Sequence, residues 1–578
     1  MKQNKIWIPI FLAPACILFL LIFALPLGLV LVTSLFEYKL MPTTFEFNGF
    51  ANYVKLFTQD PNFLPVLKNT LLWILIHCTV HVALGTALAF VLYKKPFGWK
   101  VVRTGYMIPN IISQSAIAMI FLNLYNASFG AVNSVLKNIG LEALCRNWLF
   151  DNRTAFPAVS MIWLLFAGYT TTLVLAEMLS VDESIIEAAR VDGATSWQID
   201  FMIMFPLVRK MIGNTVIMAA AYMLQLFSMI YITTGGGPGV TTTNLPLYLY
   251  TTMKNRYDYG YANTIGVVII IIGAICMVAI RKLFRMDEED YEGGDTIMLN
   301  KASTPGEKLL KVLGYLFMAV CLLVALFPIV WVILSSFKTN KEIMGNGLAL
   351  PTSFGFDGYK QALEIAPILK YFGNSLIITC CSTCINVLSL AMAGYIFAKK
   401  RFRGRNTLFA ILSLSLVIPM TSVLHPVYLV INKFGLYDTK AALSLVYSAL
   451  SMPMSLMILR STFEGIPTSL EEAAYVDGAG FVRTFFQIMI PCAKGGLASA
   501  AVLAFLDGWN EFTFALLLTS SDTARTLPLA LSYFTSQFSF NYTALFAAIT
   551  IAVIPSIALF AIFQEQVVSS MTAGSVKG

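Results

Sequence analysis

The sequence predicts an all-α membrane protein with twelve transmembrane helices, arranged as two parallel repeats of six. Three observations predict this class: an excess of apolar over charged residues, twelve apolar stretches, and a segment that recurs in register. Of the 578 residues, 57 % are hydrophobic and 12 % are charged. Because soluble domains carry about 25 % charged residues, the composition excludes a water-soluble globular protein and a disordered chain.

The charge pattern points to a membrane and away from nucleic acid. The formal charge of +8 comes from 39 basic and 31 acidic residues. The basic residues cluster in short loops beside apolar runs, which is the positive-inside pattern of a membrane protein. The nine cysteines are odd in number and most lie inside apolar runs, so a disulfide scaffold is excluded.

The N-terminal apolar run predicts a retained first span. Lys2 and Lys5 precede apolar residues 6–36. This run is longer than the core of a signal peptide, about 7–15 residues, and reaches the roughly 20 residues that cross a bilayer. The twelve predicted spans are 9–34, 69–92, 105–126, 157–179, 208–233 and 263–283, then 312–337, 374–398, 407–431, 441–459, 493–518 and 543–563.

The loops predict the orientation of the spans. The loop between spans 2 and 3 carries Lys94, Lys95, Lys100 and Arg103 and no acid. The loop between spans 8 and 9 carries five basic residues in 399–405 and no acid. Both loops should be cytoplasmic. With six spans in each half, we expect a multi-pass protein of the cell membrane with both termini cytoplasmic.

The chain divides into two halves and a tether. Residues 1–285 form the first half and residues 306–578 the second, each with six predicted spans. Between them, residues 286–305 are rich in acids, with six in the stretch 287–295. This composition predicts a flexible, solvated cytoplasmic linker, which would hold one copy of each half together at high effective concentration.

One loop recurs in both halves. The sequence EAARVDGA at 187–194 returns as EAAYVDGA at 472–479, and the same register continues without a gap to Pro206 and Pro491. Glu-Ala-Ala favours helix and the glycine favours a sharp corner, so each loop predicts two short helices. A single copy would fit an interfacial helix without a partner. Two copies in register favour a partner with matching two-fold symmetry.

These two segments, 187–206 and 472–491, resemble the EAA loop of ABC importer permeases. In that family the loop docks on ATPase subunits, so the resemblance implies the same fold and two ATPase partners. The residues that this implies for ATPase coupling are Glu187, Ala188, Ala189, Asp192 and Gly193, with Glu472, Ala473, Ala474, Asp477 and Gly478. Asp182 begins the first motif and Pro467 the second, so the two docking helices need not be equivalent.

The resemblance is closest to the carbohydrate permeases of this superfamily. The first half carries Thr-Gly-Gly-Gly-Pro-Gly at 234–239, and the second carries Trp-Asn-Glu-Phe at 509–512. The chain therefore resembles two sugar-permease subunits fused head to tail. This resemblance implies an extracellular or periplasmic solute-binding protein as a partner. It also implies that the segment 519–542, with Arg525, Tyr533, Phe534 and Gln537, reaches toward that protein.

Candidate residues of the substrate path lie on spans 4, 5 and 11. A sugar site needs aromatic rings and amide or hydroxyl groups in a cavity. The candidates are Trp163, Tyr169, Tyr222, Gln225, Ser228, Trp509, Asn510 and Glu511. Each also fits ordinary helix packing, and Trp509 fits it well. Glu511 and Asp507 lie in an apolar stretch, where an ionisable group should face a cavity or a partner.

Cofactors are expected on partners only. The chain has no Gly-x-x-x-x-Gly-Lys-Ser/Thr run, so ATP and Mg should be bound by the partner ATPase and not by this chain. His77 and His81 lack a third ligand, and we expect helix contacts from them and no metal site. No catalytic constellation stands out, so we expect a transport subunit, not an enzyme.

Three alternatives remain open from the sequence. The permease could carry another small solute, such as glycerol phosphate or a polyamine. An ion-coupled secondary transporter also has two parallel repeats of six spans. It is disfavoured because the best-matched repeat segment lies in a loop after the fourth span of each half, and few acids lie within the spans. An intramembrane enzyme would need a catalytic constellation within the spans.

Overall fold

The computed structural model describes residues 6–286, 306–413, 415, 418–532, 534 and 541–575. Except for Met286, the predicted linker 286–305 lies outside the described residues. Apart from one antiparallel hairpin, Phe36–Leu40 with Thr43–Phe47, the regular structure described is helical. The hairpin follows span 1 and is the one departure from the predicted all-α class within the part of the chain described.

Seven helical stretches in the described chain are long and apolar enough to cross a membrane, and one of them, Ala155–Ser180, is interrupted after Leu164. They correspond to predicted spans 1, 2, 4, 6, 7, 8 and 12. Their bounds are Trp7–Thr33, Phe63–Tyr93, Ala155–Ser180, Tyr259–Leu283, Lys311–Ser335, Ile368–Lys399 and Tyr542–Gln564.

Four further spans are bent helix pairs. Predicted span 3 turns by 96° and span 10 by 55°, whereas spans 5 and 11 meet the preceding helix of the repeated loop at 65° and 79°. The pairs are Trp99–Ile111 with Gln114–Leu124, Ser196–Leu207 with Arg209–Gln225, Lys440–Leu450 with Met452–Gly465, and Phe481–Cys492 with Lys494–Asn510. Predicted span 9, at 407–431, is divided between helices Arg405–Ser413 and Leu424–Lys433. Hydropathy predicted these stretches but not their bends.

The helix boundaries repeat along the chain. Helix Glu183–Val191 returns as Thr468–Val476, and Arg209–Gln225 returns as Lys494–Asn510, both in the register that relates position 187 to position 472. Span 5 ends in a separate short helix, Ser228–Thr233, and its counterpart in span 11 is Thr513–Leu518 in the same register. The register of the repeated loop therefore extends through the whole of the following span.

The two halves are interleaved through their first spans. Span 1 packs against span 8, where the Phe11 ring lies 6.5 Å from the Tyr395 ring. Phe11 also lies 5.0 Å from the rings of Phe481 and Phe485, in the helical stretch that precedes span 11. Span 7 packs in turn on span 3, so closely that a Cβ at Gly105 would lie 2.4 Å from Leu322 Cδ1. The main buried core contains residues of both halves.

Candidate functional site

A cavity of about 550 Å³ lies between the halves. Seven of the eight residues predicted for the substrate path line it: Trp163, Tyr169, Tyr222, Gln225, Ser228, Asn510 and Glu511. Trp509 lies outside the cavity lining. Its ring is stacked 5.8 Å from Phe505 and edge-on 5.4 Å from Phe372, so its place is that of a packing residue.

Breaks in spans 5 and 11 supply much of the cavity wall. Irregular backbone at membrane depth is tolerated where it lines a cavity. In span 11, both carboxylate oxygens of Glu511 accept backbone N–H groups, from Phe514 at 2.7 Å and Ala515 at 3.1 Å. Glu511 therefore caps the short helix Thr513–Leu518. Leu226 occupies the same register position in span 5.

The amides at equivalent register positions, Gln225 and Asn510, have different environments. Asn510 Nδ2 donates to the carbonyl of Ile111 at 2.7 Å, a bond between the two halves. Gln225 is exposed to the cavity, and its only described hydrogen bond is a 3.4 Å contact with the carbonyl of Ala221. Gln225 is therefore free to bind a solute, whereas Asn510 is committed to the interface.

Stacked rings form another part of the wall. His77 and His81 face each other at 3.8 Å, and Tyr222 stacks on His77 at 5.5 Å. His81 Nδ1 also lies 3.1 Å from the carbonyl of Leu164 on span 4, so the histidines contact neighbouring helices. Among the described residues no group of three potential ligands could hold a metal ion. Sequence reasoning did not place this pair at the cavity.

Asp507 is a further cavity residue that the predicted site omitted. Its Oδ2 accepts a hydrogen bond from Ser451 Oγ at 3.1 Å, and its side chain is exposed to the cavity. Tyr222 occupies the equivalent register position of the first half. Asp507 precedes Asn510 by one helical turn, so the two side chains lie on the same helix face. This spacing could have predicted that Asp507 lines the cavity.

The repeated loops have the predicted corner geometry. Helices Glu183–Val191 and Thr468–Val476 end at glycines in the left-handed region, with φ of +88° at Gly193 and +82° at Gly478. A glycine adopts this conformation at little cost. Asp182 begins the first helix and accepts a hydrogen bond from the backbone N–H of Ser184, which lowers the pKa of Asp182. Pro467 begins the second helix without such a bond.

Each loop presents an apolar tip. Val191 is 87 % exposed and Val476, its equivalent in the second half, is 83 % exposed. Ile185 and Leu470 form a second exposed pair in the same register. Of the residues predicted for coupling, Ala189 and Ala474 are buried in the protein's own packing. Those left exposed are Glu187, Ala188 and Asp192 with Glu472, Ala473, Asp477 and Gly478, while Gly193 is half-buried. Exposed apolar groups rimmed by polar ones are typical of docking surfaces.

The second loop is anchored by a buried ion pair that the first lacks. Lys400 and Glu471 have side chains only 7 % exposed and lie in direct contact. Glu471 also accepts hydrogen bonds from the hydroxyls of Tyr395 and Tyr475, at 2.7 and 3.0 Å. In the first loop the equivalent position holds Ile186, which is buried. The helices of the two repeated loops are thus held by different chemistry.

Two asparagines fasten the loops that follow the broken spans. Asn69 Nδ2 lies 3.0 Å from three carbonyl oxygens, those of Val240, Thr241 and Thr243, just after the glycine-rich turn. In that turn Gly236 has φ of +95°, and a Cβ there would lie 2.4 Å from Thr243 Oγ1. A side chain at this position would therefore be strained and crowded.

The second half has the equivalent fastening. Asn374 donates to the carbonyls of Asp522 and Arg525, at 3.1 and 3.0 Å. Within the segment 519–542, Phe534 is buried, while Tyr533 and Gln537 lie outside the described residues.

Comparisons with known proteins identify the family. Residues 386–573 match the model for the binding-protein-dependent transport system inner membrane component. The chain is 31 % identical to a diacetylchitobiose uptake system permease protein of Streptomyces coelicolor, over 93 % of that protein and 48 % of this chain. It is 31 % identical to an arabinooligosaccharides transport system permease protein of Halalkalibacterium halodurans, over 100 % of that protein and 48 % of this chain.

A solved structure is also similar. The chain resembles a chain of a bacterial ABC transporter involved in import of the acidic polysaccharide alginate, with 21 % identity and a TM-score of 0.41. The match covers 99 % of that chain and 46 % of this one. The relatives match over most of their own length yet over about half of this chain, which has the length of two fused permeases. The chain is a multi-pass membrane protein that belongs to the binding-protein-dependent transport system inner membrane components, the permease family of ABC transporters.

Proposed function

We propose that this chain is the whole transmembrane part of an ABC importer for a sugar or oligosaccharide. Residues 1–285 and 306–578 act as its two permease halves, and 286–305 acts as their tether. The observation that carries the proposal is the pair of exposed helix tips, which recur at equivalent positions of the two halves around one cavity. Two equivalent tips suit two ATPase subunits related by a two-fold axis.

The chain's own part in transport is to couple those tips to the cavity. ATP and Mg belong to the two ATPase subunits, and their closure draws the docking helices together. Each docking helix continues through its glycine corner into the bent span that ends at the cavity, at Gln225 in one half and Asn510 in the other. A 17-residue helix carries this displacement over about 25 Å. The halves then rock and expose the cavity to alternate sides of the membrane.

The cavity chemistry supports a sugar as the solute. Aromatic rings can face the apolar side of a sugar ring, and the amide of Gln225 and nearby hydroxyls can bond its polar groups. The relatives' names refer to oligosaccharide uptake, which supports the same class. An extracellular or periplasmic solute-binding protein would deliver the sugar, with both termini cytoplasmic. Glycerol phosphate and polyamines are the alternative solutes.

The test replaces the exposed tips. Because Val191 and Val476 are more than four-fifths exposed, V191D and V476D should leave folding intact and remove apolar docking contacts. The tagged chain is purified in mild detergent from its own cells, and the retained ATPase is quantified. Sugar uptake and ATP hydrolysis are then measured in reconstituted vesicles.

The control variant changes an equally apolar residue elsewhere. Ile139 is 62 % exposed and lies between spans 3 and 4, in a loop whose place in the span order puts it across the membrane from the docking loops. I139D should still retain the ATPase and couple ATP hydrolysis to sugar uptake. In each tip variant, V191D and V476D, the rate of ATP-driven uptake should fall at least tenfold. Equal uptake by all three variants, or uptake driven by an ion gradient without an ATPase, would refute the proposal.

A further inference from the structure

The cavity has an uneven distribution of charge. Its described lining contains two carboxylates, Asp507 and Glu511, and neither lysine nor arginine. The three undescribed residues of the adjacent segment are Leu414, Leu416 and Val417, which bring no charge. Glu511 is committed to capping a helix through both of its oxygens. The charge available to a solute is therefore that of Asp507.

No cation among the described residues balances Asp507. Among the described residues it forms no ion pair, and its single hydrogen bond comes from Ser451 Oγ, at 3.1 Å to Oδ2. A carboxylate within membrane-spanning helices is unfavourable unless a partner or water stabilises it. Since the side chain is exposed to the cavity, a solute that donates to Oδ1 would supply the missing partner.

Two buried polar atoms on the opposite half also lack partners. Trp163 is 3 % exposed and His77 is 4 % exposed, and both line the cavity. Neither Trp163 Nε1 nor His77 Nδ1 has a hydrogen-bond partner among the described residues. Leaving such an atom unsatisfied is unfavourable, because the atom has lost its hydrogen bond to water. Neither atom is open to solvent as the wall stands, so a solute hydroxyl would satisfy one only if its side chain turned toward the cavity.

We propose that this cavity takes saccharides that carry no acidic group, either neutral or amino sugars, and that Asp507 rejects acidic ones. The inference rests on the proposed function and adds the substrate class. Hydroxyls or an ammonium group donate to Asp507, while the rings of Trp163 and Tyr222 face the apolar side of the sugar. A uronate or a phosphate would place a second anion near Asp507 with no cation within the described lining to offset it.

The experiment measures the binding of saccharide probes to the full chain in lipid nanodiscs. The solute-binding protein is left out, so that any selectivity among the probes comes from the permease. The probes are three β-1,4-linked disaccharides: neutral N,N′-diacetylchitobiose, the free amine chitobiose, and cellobiouronic acid. Spermidine is added as a cation without sugar hydroxyls. The variants are D507N, which removes the charge, and D507E, which retains it. Gel filtration and ATPase retention check that both variants fold.

The expected result is that the acid binds at least about tenfold more weakly than the neutral sugar to the wild type and D507E. In D507N this difference falls below threefold. Equal or tighter binding of the acid to the wild type would overturn the inference, as would discrimination that persists in D507N. If spermidine binds, none of the three disaccharides binds, and D507N weakens spermidine binding, the solute is a polyamine. That result would refute both the proposed sugar function and the inferred saccharide class.

Discussion

The anchor beneath the second docking helix makes a quantitative prediction. Lys400 lies in a cage of three rings, 5.4–5.6 Å from the centroids of Tyr395, Tyr475 and Phe481, and contacts Glu471. Removing one partner of a buried ion pair costs about 3–5 kcal/mol, because the other charge remains buried. Two tyrosine hydroxyls still donate to Glu471 in K400M, so we expect about 3 kcal/mol.

The assay is hydrogen–deuterium exchange of the docking helix Thr468–Val476 in the intact protein. At about 1.4 kcal/mol for each factor of ten, K400M should accelerate exchange there about a hundredfold. The double variant K400M/E471I should regain most of the protection, since Ile186 fills the equivalent position of the first half. The control is K94M, whose pair with Asp200 is exposed on the lysine side and should change local stability by less than about 1 kcal/mol.

Two outcomes would refute this reasoning. Exchange in K400M within threefold of the wild type would mean that the buried pair contributes no net stability to the docking helix. A double variant as unprotected as K400M would mean that the charge left on Glu471 is not the cause of the loss.

The remaining predictions concern the cavity amides, the outer fastening and the tether. Q225A should reduce solute uptake at least tenfold without weakening assembly. N510A removes the hydrogen bond to the Ile111 carbonyl and should lower the free energy of unfolding by about 1–3 kcal/mol. If N510A reduced uptake and Q225A only lowered stability, Gln225 would be excluded from the substrate path. N69A should expose the glycine-rich turn to proteolysis, and unchanged cleavage would contradict its role. An insertion of about ten residues in 286–305 should leave assembly of the halves unchanged, and loss of assembly would make the linker structural.

The sequence predicted the class and the repeat well because both rest on strong local signals. The length of the apolar stretches predicted the eleven spans that the structure shows, seven as single stretches and four as bent pairs. The constant spacing between the two repeats predicted the position of the second loop. The bends carry weaker signals. In span 3, Pro109 and the cap at Ser113 mark the break, where Ser113 Oγ accepts from the N–H of Ala116 at 3.2 Å. Span 5 has a second break, between helices Arg209–Gln225 and Ser228–Thr233. Neither Leu226 nor Phe227 is a helix-breaking residue, so packing between helices determines that break.

The cavity residues were predictable where helical spacing was applied. Residues advance by about 100° along a helix, so Asp507 and Asn510 lie about 60° apart, while Trp509 points about 160° from Asp507 and about 100° from Asn510. The short motif around Trp509 suggested a common role for adjacent residues, and the helix separates them. The unpartnered state of Trp163 Nε1 depends on contacts between distant helices, which no local pattern contains.

The structure argues that the two halves have specialised at matched positions. Gln225 is open to the cavity, and Asn510 at the same register position binds the other half. Ile186 packs one docking helix by apolar contact, and Glu471 holds the other by charge. The two subunits of a homodimer have the same residue at each position and could not differ in this way. A single chain always contains one copy of each half, so the halves can specialise. Asp507 then has a reason to occur once, since a carboxylate at the place of Tyr222 would be a third beside Asp507 and Glu511 in a cavity whose described lining holds no lysine or arginine.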